Sequence, residues 1–349
     1  MLHRLLSTIG VNLARLAVVI AVPEVGLRLI HPEWHEYSSA RFMEPATLAG
    51  YPPFTIGRPG FDEYFSQNNG DFRARMTINN FGLRNAEPIS AADGRLWVVG
   101  DSMSFGWGVA RDETFTATIA RGAGIPTYNV ASPGASVCGY QALLARMPDI
   151  VTPRAIIVGL VIENDILDYR CHDATGLAPS PTVPRPGLTI LQAAKRFLTE
   201  RSALYNYAAV VLKRYAVVND ALVALGMVER EHAYHESVDP SGLTGHIAST
   251  ADALVELRLR FAPNIPFAVL IAPARFEIRD GAPFYTGLRR AMVEALTGRG
   301  IEVIDPVAGF IAAGFGPTHF AHDGHWSPLG HRIAGTAAAD WVTRRVARK

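Results

Sequence analysis

Cysteine is almost missing: two residues in 349 exclude a disulfide-built scaffold and a four-cysteine zinc module. Charge of one sign is missing as well. Lys and Arg number 33 against 32 Asp and Glu, without the basic excess that a nucleic-acid surface requires. No repeat, heptad run or low-complexity tract occurs, which removes solenoids and long coiled coils. What is present is apolar: 49% hydrophobic and 19% charged residues argue for a packed core rather than disorder.

A clean hydrophobic run is also lacking. Ile9 to Ile30 is long enough for the roughly 20 residues that span a bilayer core, but Asn12, Arg15, Pro23, Glu24 and Arg28 interrupt it. Only Leu16 to Val22 is free of polar groups. Arg4 and Arg15 precede that stretch and Glu24 follows it, an order that favours a cytoplasmic N-terminus and a translocated body. Val19-Ile20-Ala21 is a poor cleavage site. Residues 1–31 are therefore expected to form a single-pass membrane anchor, with the body periplasmic or extracellular. The alternative is an amphipathic helix lying on the membrane or on the domain. Cys138 and Cys171 read by default as buried free thiols, with a disulfide open to them if the body is exported.

Residues 32–94 read as an irregular extension with turn signals at Pro52-Pro53, Pro59-Gly60 and Asn68-Asn69-Gly70, and one short edge strand near Arg75 to Ile78. Five apolar runs then follow: Leu96 to Val99, Tyr128 to Val130, Ala155 to Ile162, Phe267 to Ile271 and Glu302 to Ile304. Helical stripes alternate with them, as at Tyr140, Leu143, Leu144 and Met147, at Leu254, Leu257 and Phe261, and at Ile333, Ala337 and Trp341. Strands alternating with helices predict an α/β domain over 95–349, with a doubly wound, five-stranded parallel sheet. Residues 172–247 interrupt the pattern as a helical insertion opened by a proline-rich linker. In such sheets ligands bind at the carboxyl ends of the strands, so the residues just after each strand carry the chemistry.

Those residues form a consistent series. The first strand ends in Gly100-Asp101-Ser102, a serine placed for nucleophilic attack; Ser104 stands where the Gly-x-Ser-x-Gly elbow would have its second glycine. After the second strand, Gly134 can offer a backbone N–H to an oxyanion. After the third, Asn164 can aim an amide N–H at the same charge, next to Asp165. Near the C-terminus, Asp323 stands two residues before His325, able to orient an imidazole toward the serine. His319, His322 and His331 crowd the same stretch, which makes a metal site the rival. His-Glu-x-x-His is absent, and no second carboxylate cluster follows another strand.

Together these blocks resemble the SGNH (GDSL-like) hydrolase superfamily, whose four blocks fall here on Ser102, Gly134, Asn164 and His325. The stretch Thr77 to Arg84 and the N-terminal apolar segment are similar to bacterial, membrane-anchored members. The resemblance implies a flavodoxin-like fold and an ester hydrolase without cofactor or metal. It implies Ser102 as nucleophile, His325 as base, Asp323 as its partner, and Gly134, Asn164 and the Ser102 N–H as the oxyanion hole. Many members space the last pair Asp-x-x-His; here it is Asp-x-His, similar to proteins of polysaccharide O-acetylation. Glu163 stands where a small residue is usual. The expected substrate is a small acyl ester on a cell-envelope glycan. An O-acetyltransferase using the same triad and a non-catalytic glycan-binding module are the alternatives.

Overall fold

The computed structural model describes residues 2–67, 70–166, 200–213 and 240–346, with isolated helical positions between 194 and 224. Most of the insertion at 172–247, and Cys171, lie outside the described residues. The chain forms two compact units, one of residues 1–41, 66–70 and 182–230, the other of 42–65, 71–181 and 231–349.

In the first unit, helix α1 covers Leu2–Ile30. Among the described residues no helix is long and apolar enough to cross a membrane, so the expected anchor gains no support from the structure. Two of the charges that interrupt the apolar run, Glu24 and Arg28, have partners. Glu24 accepts hydrogen bonds from Ser202 Oγ at 2.8 Å and from the N–H groups of Ala203 and Leu204 at 3.0 and 2.9 Å. It thereby satisfies the open N–H groups of a second helix of this unit, Ala203–Lys213. Arg28 bonds Glu24 at 2.7 Å and the Arg201 carbonyl at 2.6 Å.

The second unit is built on five parallel strands. In chain order they are Leu96–Val99, Thr127–Asn129, Ala155–Val161, Phe267–Ala272 and Glu302–Ile304, here β5 to β9. Their spatial order is β6-β5-β7-β8-β9, which is the 2-1-3-4-5 order of flavodoxin-like sheets. Because both faces are covered, the strands are almost wholly apolar. Trp97, Val99, Ile156, Val158 and Val269 pack on one face against helices Val137–Ala145, Pro240–Leu259 and Pro283–Gly298. Leu96, Val98, Ile157, Ala268 and Leu270 pack on the other against Phe115–Ala123 and Pro328–Arg345.

Residues 32–94 are more regular than expected. Met43–Ala46 (β1) pairs antiparallel with Phe54–Gly57 (β2), and Asp62–Ser66 (β3) forms a two-stranded sheet with Arg73–Thr77 (β4). β4 stands where the alternation at Arg75 to Ile78 placed an edge strand, whereas the other three, four or five residues of mixed polarity, are too short for a period to show. Phe42, Phe61, Phe65, Phe72 and Met76 form a third core with Phe105. Cys138 is disulfide-bonded rather than a free thiol.

The Thr77 to Arg84 block is a scaffold for the serine helix Ser102–Phe105. Asn79 accepts from the N–H groups of Phe81 and Leu83 and donates to Tyr128. Arg84, 1% exposed, donates to the carbonyls of Phe105 (3.1 Å), Gly106, Val109 (2.6 Å) and Arg75 (3.4 Å). Burial pushes its pKa down to about 9. Gly100 and Gly159 leave room for the Ser104 side chain: a Cβ at either would lie 2.1 Å from its Oγ. Ser104 thus seats the helix between β5 and β7, the switch point where the strand order reverses.

Candidate active site

Asp101 ends the loop after β5 and caps the serine helix, accepting from the Met103 N–H at 2.9 Å. The next residue, Ser102, presents Oγ 2.8 Å from His325 Nε2. His325 Nδ1 in turn bonds Asp323 Oδ1. The short Asp-x-His spacing closes because the intervening Gly324 has φ +78°, a left-handed turn that L side chains rarely adopt. Phe320 N–H to His325 O at 2.8 Å and a bridge between His319 and Trp326 pin the ends of this loop.

Burial alone would raise the Asp323 pKa. The facing His325, its hydrogen bonds and the Trp107 indole more than offset this and hold the carboxyl below its ordinary value. Trp107 carries no sequence motif, yet it donates to Asp323 Oδ2 at 3.3 Å and stacks on the His325 ring at 5.4 Å and 25°. It clamps both partners from one side.

Asn164 lies in the turn that follows β7, which Asp165 holds by accepting from Tyr140 Oη at 2.8 Å and the Val161 N–H at 2.7 Å. One amide N–H of Asn164 donates to Asp101 Oδ2 at 3.1 Å. Asp101 is fully buried, and burial raises its pKa even though Asn164, the Met103 N–H and His325 pull the other way. Its role beside the serine is therefore structural as well as local: it orients the helix and the amide together.

A cleft of about 200 Å³ opens here, lined by Ser102, Asn164, Glu163, Arg275, Asp323 and His325 among others. Gly134 is not among its lining residues; it is solvent-exposed with φ +75°. Ser102, Asn164, Asp323 and His325 are thus brought together, and Gly134 is left outside the cleft wall. Glu163 points inward, 13% exposed, and pairs with Arg275 at 2.8 Å.

The other histidines separate from the site. His331 accepts from the Phe115 N–H at 3.3 Å and its pKa is lowered to about 3 by burial. His319 pairs with Thr318 Oγ1 at 2.9 Å, its pKa lowered to about 4, again mainly by burial. His322 meets Asp71 at 2.8 Å. No cluster of ligating side chains suited to a metal occurs among the described residues. Trp326 is a core residue, 0% exposed.

The two buried histidines make a prediction about stability. Their folded pKa values of about 3 and about 4 lie below the unfolded value of about 6.5. Between these limits the unfolded chain binds more protons, so stability is full above about pH 6.5 and falls as pH drops, by about 1.4 kcal/mol per pH unit per histidine. Urea midpoints from pH 7 to pH 4.5 should show this, and His331→Gln should remove about half of the slope. A flat profile over that range would refute it.

No family model matches the chain, and no curated protein does. Solved structures do. A lipase/acylhydrolase from Enterococcus faecalis is 11% identical, with a TM-score of 0.42 over 73% of this chain and 98% of the other. A lipolytic protein of the G-D-S-L family from Veillonella parvula is 13% identical, with a TM-score of 0.38 over 72% and 98%. A lipase from a goat rumen metagenome is 16% identical, with a TM-score of 0.40 over 70% and 97%. These neighbours are lipolytic hydrolases by name. The chemistry of the present site follows from its own distances.

Proposed function

We propose that the protein is a serine esterase that removes small acyl groups from a cell-envelope glycan through an acyl-enzyme. The observation that carries this is the 2.8 Å contact of His325 Nε2 with Ser102 Oγ, backed by Asp323 on the other ring nitrogen. Ser102 Oγ attacks the ester carbonyl as His325 takes its proton. The tetrahedral oxyanion faces the Ser102 N–H and the Asn164 amide, and Gly134, outside the cleft wall, takes no part in this reading. His325 then hands the proton to the departing alcohol, and water releases the acid in a second, equivalent step. The size of the cleft, about 200 Å³, supports a small acyl group. The disulfide at Cys138 supports a body outside the reducing cytosol, and the charge order around Leu16 to Val22 supports anchoring through residues 1–31.

A fluorophosphonate probe tests the reading without knowledge of the substrate. The full chain, kept in detergent, should carry one adduct at Ser102, lost in Ser102→Ala and His325→Ala. A folded protein that stays unlabelled, or labels elsewhere, would end the proposal. The oxyanion role has its own test. Asn164→Ala should lower kcat about a hundredfold with little change in KM, since such a donor acts on charge that develops only in the transition state. A rise in KM alone would remove Asn164 from that role.

A further inference from the structure

We infer that Arg275 reads a negative charge on the alcohol part of the substrate, so that the esters preferred here carry a carboxylate beside the scissile bond. This rests on the esterase reading above and adds a substrate class to it. Arg275 opens the helix Arg275–Asp280, three residues past the end of β8, at the carboxyl edge of the sheet. Glu163 fixes it in two places: one carboxylate oxygen accepts from the Arg275 backbone N–H at 2.5 Å, the other from Nε at 2.8 Å. The pair is only 20% and 13% exposed. The ring of Phe276 lies 5.3 Å from the guanidinium carbon.

This clamp spends Nε and leaves the two terminal nitrogens, which carry four N–H groups in a planar fork. They stand against the histidine loop: a Cβ on Gly324 would lie 2.6 Å from Arg275 Nη1. Gly324 joins Asp323 to His325, and all of them line the cleft with Ser102. The alcohol leaves by taking its proton from His325 Nε2, so the alcohol is the part of the substrate on this side. The carboxylates around the cleft are each engaged: Asp323 by His325 and Trp107, Asp101 by Asn164 and the Met103 N–H, Glu163 by Arg275. Among the described residues that line the cleft, Arg275 is the one arginine or lysine. It matches a carboxylate, which accepts from two parallel N–H bonds at once.

The test compares kcat/KM of the full chain for meta- and para-acetoxybenzoate with that for the corresponding neutral acetoxybenzamides. The ratio of anionic to neutral ester should exceed one in the wild type and fall with added salt. Arg275→Gln should cut that ratio about 10- to 100-fold, the range for a charge-assisted hydrogen bond, and Arg275→Lys should keep part of it. A ratio unchanged by Arg275→Gln overturns the inference, whether both rates fall together or neither does. Labelling of Ser102 by fluorophosphonate in the same preparations separates the two claims. Labelling with no anion preference sinks the Arg275 inference alone, whereas no labelling and no turnover sinks the esterase reading with it.

Discussion

Alanine at His325 is expected to lower kcat for a simple acetate ester by about 10⁴- to 10⁶-fold, the range seen when one member of such a triad is removed. The reason lies in the geometry. The Ser102 hydroxyl has one base within reach, His325 Nε2 at 2.8 Å, and among the described residues the other nearby histidines are spent on the core or on Asp71. A serine hydroxyl without a base is a poor nucleophile near neutral pH. KM should change little, because the imidazole acts on a proton in flight and not on the bound ester. Steady-state kinetics with p-nitrophenyl acetate would measure this. A loss below tenfold would mean that another group takes the proton.

Arg84→Met is expected to destabilise the fold by about 3–5 kcal/mol, the scale for leaving several buried carbonyls without their donors. Arg84 sits 1% exposed and bonds four carbonyls around the end of the serine helix. Methionine fills part of the volume but leaves those carbonyls buried without donors. Lysine should not rescue it, since a single ammonium cannot span the fork. Urea denaturation followed by far-ultraviolet circular dichroism gives the value. Equal stability of Arg84→Lys and the native chain would show that charge, and not the planar fork, is what the site needs.

The apolar runs and their order determined the sheet before any coordinate was known. Leu96 to Val99, Ala155 to Ile162 and Phe267 to Ile271 are uninterrupted because strands covered on both faces tolerate no polar residue. Once the sheet is placed, the residues just past its strands fall at one edge, which is why Ser102 and Asn164 were legible together; His325, two helices beyond β9, was legible from its spacing to Asp323. Of the N-terminal strands only Arg73–Thr77 was legible, through its alternation; the others, four or five residues of mixed polarity, were not. Nor was Trp107, whose indole reaches Asp323 across 216 positions of sequence and belongs to no motif.

Composition, pattern and spacing therefore determined the α/β class and the strand set, and the resemblance of the four blocks pointed to Ser102, Asn164, Asp323 and His325 as the candidate site. Only the tertiary structure decided which polar groups meet. It made Glu163 the clamp on Arg275, retired His319 and His331 to the core, set Gly134 outside the cleft wall, and gave Glu24 the N–H groups of a distant helix to satisfy. The physical reason is the same each time. Burial of apolar periods is a local property that a sequence writes along itself, whereas the partner of a buried charge is chosen by three-dimensional proximity, which no local spacing records.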